Sequence, residues 1–226
     1  MNERTAQILE AAIQGFINTG EPVSSGWLFD HYDFGIKPAM IRLELDKLED
    51  DGYLEQPHHS AGRVPTDAGY ELFAKQLLGT VPGFREPGLR DLFEEHAWPD
   101  LLNALSRELG LLSVAADLAR DAVYKAGLEA LVDSLDWEDR GQIRSVIHDF
   151  EGVDERLPRA AEKMGIAGAA GDAPKVFIGK KSPLTRSENL SVVGGNYRVG
   201  SATISIFAIG PKRMDYKKVI RIFKSL

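Results

Sequence analysis

Apolar positions recur at helical spacing from the start of the chain. Ile8, Leu9, Ala11, Ala12, Ile13 and Phe16 gather on one side of residues 4–18 and predict a helix there. Gly20 and Pro22, in NTGEPVS, stop it. A short second helix is expected over about 24–32, capped by Ser24 or Ser25 and carrying Trp27 and Leu28. Pro38 suits the first position of a third helix, where its missing N–H costs nothing. The buried stripe of that helix is Ile41, Leu45 and Leu48, and Gly52 is its C-cap. The pattern then changes. Tyr53 and Leu54 begin a strand, HHSAG makes a turn, and Arg63, Val64 and Pro65 form the return strand. Pro65 marks that strand as an edge or a strand end. TDAGYELFAKQLL resumes the helical pattern, capped by Thr66 or Asp67. Three helices, a hairpin and a following helix predict a winged helix-turn-helix over residues 1–78.

The stretch 79–99 reads as a linker, with Pro82, Gly83, Pro87, Gly88 and Pro99. Residues 100–120 read as strongly helical. Further helical pattern fills 121–164, with Leu128, Leu131, Leu135, Ile143 and Ile147 as core candidates. GIAGAAGDAP is a small-residue loop. After it the period falls to two. KVFIG is a short strand, and LSVVGGNYRV and ATISIFAIG are two strands joined around Gly200. PKRMDYKKVIRIFKSL closes as an amphipathic helix with Val219, Ile220, Ile222, Phe223 and Leu226 apolar. The expected class is α+β: an N-terminal winged helix-turn-helix, then an α/β domain with an antiparallel sheet over 100–226.

At 226 residues the chain can bury one large core or two small ones. No run nears about 18 consecutive apolar residues, so no membrane partner is expected. MNERTAQILEAAIQGF lacks the layout of an export signal, and the expected location is cytoplasmic. The absence of cysteine excludes disulfides, a thiol nucleophile and cysteine-based zinc sites. Charge is unevenly placed. Residues 1–80 hold six Lys and Arg against thirteen Asp and Glu, residues 81–170 ten against eighteen, and residues 171–226 eleven against three. A basic C-terminal quarter therefore follows an acidic remainder, either as a binding face or as an unevenly charged solvated surface.

Three runs resemble the heat-inducible transcription repressor HrcA family: ILEAAIQGFINTGEPVSS, IRLELDKLEDDGYLEQPHHSAGRVPTDAGY and AIGPKRMDYKKVI. A weaker run, AVYKAGLEALVDSLDW, resembles the family pattern ahead of its last strands. The resemblance implies a winged-helix repressor of chaperone genes that binds double-stranded DNA at an inverted-repeat operator as a dimer. It also implies a GroEL-type chaperonin as partner, and a GAF-like C-terminal domain with an inserted dimerisation segment. This chain is shorter than is usual for the family, so most of that insertion is expected to be missing. A weak homodimer is the corresponding expectation, formed by the C-terminal domain or only on DNA.

Reading DNA needs an exposed helix face with donors aimed at base edges. The third helix offers Lys37, Met40, Arg42 and Leu43 near its N-terminal end, and Arg42 is the leading candidate for a base or phosphate contact. The family stretch reads like Ser-x-Thr-Ile-Arg-Asn. Here only the Ile41–Arg42 pair remains, with Met40 in place of Thr and Leu43 in place of Asn. The wing offers Ser60, Arg63 and the backbone N–H groups around Ala61 and Gly62 for phosphate or minor-groove contact. His58 and His59 are not expected to bind a metal, because adjacent strand residues point to opposite faces. No phosphate loop, dinucleotide fingerprint or local triad is present, so neither an enzyme nor a cofactor is expected. The acidic balance of residues 1–80 predicts weak or strongly salt-sensitive DNA binding. It also leaves room for another reading, a protein-interaction or ligand-sensing module whose winged helix no longer reads DNA specifically.

Overall fold

The computed structural model describes residues 1–59, 61–84, 86–117, 119–134, 140–163, 173–200 and 202–226. The chain divides into two units, Met1–Gln76 and Leu77–Leu226.

The first unit opens with α1 (Glu3–Thr19). The side chain of Asn2 caps it by accepting from the Thr5 N–H, at 2.8 Å. Gly20 ends it with φ 73°, a left-handed turn that favours glycine. Ser24 caps α2 (Ser25–His31) through the Trp27 N–H. Pro38 opens α3 (Pro38–Asp50), which buries Ile41, Leu45 and Leu48. Thr5, itself fully buried, donates from its hydroxyl to Glu44 at 2.7 Å and ties α1 to α3. Two short strands follow, β1 (Leu54–Glu55) and β2 (Val64–Pro65). They pair antiparallel, Leu54 opposite Pro65 and Glu55 opposite Val64. A bridge from Val23 to Arg63 adds a third rung. Then comes α4 (Asp67–Thr80), which runs on past the boundary of the unit.

The second unit holds α5 (Pro87–Glu94), α6 (Trp98–Leu109), β3 (Leu112–Asp117), β4 (Ala122–Ala126) and α7 (Leu128–Asp133). It continues through α8 (Arg140–Glu151), α9 (Val153–Lys163), β5 (Lys175–Ile178), β6 (Leu190–Val199), β7 (Ala202–Pro211) and α10 (Tyr216–Phe223). The five strands make one antiparallel sheet in the order β4-β3-β7-β6-β5. Side chains alternate across it. One face presents Leu112, Val114, Leu190, Val192, Phe207 and Ile209 to Leu131 of α7, Val146 of α8 and Leu157 of α9. The opposite face meets α10: Tyr216 donates to Ser191 at 2.8 Å and Tyr197 donates to the Phe223 carbonyl at 2.7 Å. Burial pushes the Tyr197 phenol well above its usual range. The unit is α+β and consistent with a GAF-like domain.

Three expectations for this unit change. The helical reading of 100–120 fails after Leu109: residues 112–117 are strand β3, and AVYKA is strand β4. The physical reason is burial. All six residues of β3 are buried, Ser113 and Asp117 among them, so polar and apolar positions do not sort by face as they do in a half-buried strand. The stretch 79–99 holds α5, whose Leu89 and Phe93 are buried. In α8 Val146 is buried, while Ile147 is 43% exposed, a shift of one position in the apolar face. Leu131 is buried and Ile143 packs against the same core; Leu135 lies outside the described residues.

A buried carboxylate anchors the loop ahead of β6. Asp149, on α8, accepts from the Arg186 N–H at 2.8 Å and the Ser187 N–H at 2.8 Å. Arg156, on α9, pairs with it at 3.0 Å and also donates to the Leu184 carbonyl at 2.7 Å. Asp149→Ala leaves both N–H groups without their acceptor and the buried guanidinium without its countercharge, so it should cost about 3–5 kcal/mol. A lowered urea midpoint, with the slope unchanged, is the expected reading.

Candidate nucleic-acid interface

The first turns of α3 set the exposed face. Ile41, Leu45 and Leu48 point into the unit, so residues on the other side of the helix face solvent. Lys37, Met40, Arg42 and Leu43 are all exposed. Lys37 stands at the N-cap position but makes no side-chain cap. Neither Lys37 nor Arg42 has a side-chain hydrogen bond or ion pair among the described residues. The structure therefore brings these four predicted residues to one helix and leaves their side chains available. Lys47 is exposed on the same helix and was not among the predicted residues.

The hairpin side is different. Arg63 is turned onto α3, its side chain only 11% exposed. Its Nη2 donates to Asp46 at 2.6 Å. Its Nε lies 2.8 Å from Glu49, close enough for ion pairing but without a hydrogen bond along the N–H. Arg63 thus fastens β2 to α3 and offsets two of the acidic residues at the end of that helix. The backbone makes a second fastening. The Val23 N–H donates to the Arg63 carbonyl at 2.9 Å, and the Arg63 N–H donates to the Val23 carbonyl at 2.8 Å.

Gly62 makes that crossing fit. A Cβ there would stand 2.4 Å from the Val23 carbonyl carbon and 2.7 Å from that of Pro22. The observed reason for a glycine at 62 is this close backbone approach. Gln56 closes the turn from inside, donating to the carbonyls of Ala61 at 2.8 Å and His59 at 3.2 Å. The sequence signal for Gln56 was weak, since the bond spans a turn whose path had first to be known. His58 and His59 are exposed. Among the described residues no group of three or more His, Asp or Glu side chains could hold a metal. Ser60 lies outside the described residues.

Aromatic stacking holds the helix before α3. Trp27 stacks on His31 with ring centroids 4.1 Å apart, and Tyr32 stacks on Phe34 at 5.8 Å. Trp27 also fills the space that a side chain at Gly15 would take, with its ring 2.6 Å from the Cβ position. The basic C-terminal quarter is partly committed within its own unit. Lys218 pairs with Glu108 at 2.8 Å, and Arg221 lies over the Phe84 ring at 4.0 Å. In that unit a cavity of about 500 Å³ is lined by Arg90, Phe93, Tyr197, Arg198, Phe223 and Lys224, among others. No helix among the described residues is long and apolar enough to cross a membrane.

Residues 83–220 match the family model of the HrcA protein C terminal domain. A heat-inducible transcription repressor HrcA of Streptomyces avermitilis is 45% identical over 82 residues, covering 36% of this chain and 24% of that protein. Another of the same name, from Alkaliphilus metalliredigens, is 53% identical over 78 residues, covering 34% of this chain and 23% of that protein. These matches span about a quarter of the relatives' length. A crystal structure described only as a hypothetical protein superposes with a TM-score of 0.74 at 19% identity, covering 99% of this chain and 94% of the other. That likeness is one of fold.

Gly62→Ala forces a Cβ into the Pro22–Val23 backbone, which has no flexible end to yield. A loss of about 1–3 kcal/mol is expected. Hydrogen exchange should show it first, as faster exchange of the Val23 and Arg63 amides.

Proposed function

The chain belongs to the HrcA family, and we propose that it is a DNA-binding transcriptional repressor of heat-shock genes. In this reading Met1–Gln76 is a winged helix-turn-helix, α3 is its recognition helix and the β1–β2 hairpin is its wing. The observation that carries it is the contrast between two sets of cations. Lys37 and Arg42 stand free on the exposed side of α3, while Arg63 is spent on holding the wing. Arg42 would contact a guanine edge or a phosphate, and Lys37 a phosphate. The wing would contribute through Ser60 and through backbone at its tip, with Arg63 acting as its support.

An inverted-repeat operator calls for two copies of the chain. The proposed assembly is a weak homodimer completed on DNA, with a GroEL-type chaperonin adjusting the active fraction. Because residues 1–80 carry thirteen acidic side chains against six basic ones, affinity should be weak. The same acidic balance supports the second reading, an interaction or ligand-sensing module.

Fluorescence anisotropy against two duplexes separates them. One duplex carries the inverted repeat upstream of the organism's own chaperonin operon and the other is scrambled. Preference for the first supports the repressor; equal or absent binding moves function to the second reading. Arg42→Ala should weaken selective binding about 5- to 150-fold. Its folding stability should change by no more than about 0.5 kcal/mol, since the side chain is exposed and unpaired. Arg63→Ala should instead lower both stability and binding.

A further inference from the structure

The exposed face of α3 carries two large apolar side chains. Met40 is 48% exposed and Leu43 is 59% exposed. Three residues apart on a helix, they are neighbours on one stripe. Lys47, four residues past Leu43, continues the stripe and is exposed. The core of the unit draws on the opposite stripe, where Ile41, Leu45 and Leu48 are all buried. Single exposed apolar side chains are ordinary. Two adjacent ones on one helix face, with cations before and after them, are a surface with its own chemistry.

We infer that Met40 and Leu43 read thymine, by packing against the 5-methyl groups that thymine presents in the major groove of double-stranded DNA. The inference rests on the repressor reading and adds the base chemistry to it. Guanine, cytosine and adenine present only hydrogen-bonding groups in that groove, and thymine alone adds a methyl. Neither a thioether nor an isobutyl side chain can donate a hydrogen bond. Set against the other bases, these side chains would desolvate donors and acceptors without replacing their partners. Set against a methyl, both surfaces leave water.

Spacing agrees with that contact. Met40 and Leu43 are about 4.5 Å apart along the helix axis. Base pairs stack about 3.4 Å apart. A helix lying in the groove therefore sets the two side chains one to two base steps apart. The cations around the pair favour nucleic acid as the occupant. Lys37 precedes the apolar pair by one turn and Lys47 follows it by one turn. The acidic side chains on the same stretch of helix are engaged: Glu44 accepts from the Thr5 hydroxyl, and Asp46 is held by Arg63. Cations at both ends of an apolar centre match phosphates on either side of a base edge.

The test replaces thymines by deoxyuridine, one at a time, in the inverted-repeat duplex described above. Deoxyuridine removes the 5-methyl and leaves every hydrogen-bonding group. Binding by the full chain should weaken about fourfold per contacted methyl, the factor for one methyl-sized apolar group withdrawn from water. The double variant Met40→Ala, Leu43→Ala should lose that sensitivity at the same positions. Both side chains are exposed, so an unchanged circular dichroism melt is expected to accompany it. Selective binding that ignores every deoxyuridine overturns the inference and leaves the repressor reading standing. Sensitivity that persists in the double variant assigns the methyl contact elsewhere and also overturns it. No selective binding of the thymine duplex removes the repressor reading, and the inference falls with it.

Discussion

The first unit depends on one guanidinium. Arg63 lies seventeen residues beyond Asp46, yet its Nη2 stands 2.6 Å from that carboxylate and its Nε 2.8 Å from Glu49. Strands of two residues each cannot hold a hairpin in place alone. The ion pairs and the Val23 bridge supply the missing restraint. They also relieve repulsion at the end of α3, where Asp46, Glu49, Asp50 and Asp51 crowd together. The orientation of the hairpin against α3 therefore follows from charge pairing as much as from apolar burial. The carboxylates are a third to nearly half exposed, so this fastening is tempered by solvent.

The second unit solves a similar problem with deeper burial. Its sheet is covered on both faces, and β3 and most of β6 are buried along their length. A loop entering such a sheet must satisfy its backbone before it is sealed. Asp149 and Arg156 do this between them, from two helices adjacent in sequence. Buried pairs of this kind are demanding rather than strongly stabilising, since removal of either partner strands the other. The lock is specific to one loop path, and that path positions Leu184 and Leu190 in the core.

Much of the first unit was legible in residue order. Pro38 at the start of α3, Ser24 at the cap of α2, and the stripe Ile41, Leu45 and Leu48 are local signals, and each lies where expected. Candidate site residues on α3 were legible for the same reason. Helical phase tells which side chains face outward once the buried stripe is known. The hairpin was legible as strand, turn and return strand. That Arg63 would be consumed by α3, and that Gly62 would be needed for a backbone crossing at Val23, were not. Both depend on segments far apart in sequence.

Residue order by itself determined the family, the α+β class, the Ser24 cap and the exposed face of α3, while the C-cap of α3 is Asp51, one residue before the predicted Gly52. These follow from short-range periodicity and from side chains bonding to nearby backbone. Tertiary structure alone decided the strand character of residues 112–117, the buried phase of α8 at Val146, and the role of Arg63. In the first case, burial on both faces removes the alternation that identifies a strand. In the second, the packing partner chooses among adjacent apolar positions, Val146 over Ile147. In the third, a charge has several candidate partners along the chain, and only the fold brings one pair of carboxylates within 3 Å of it.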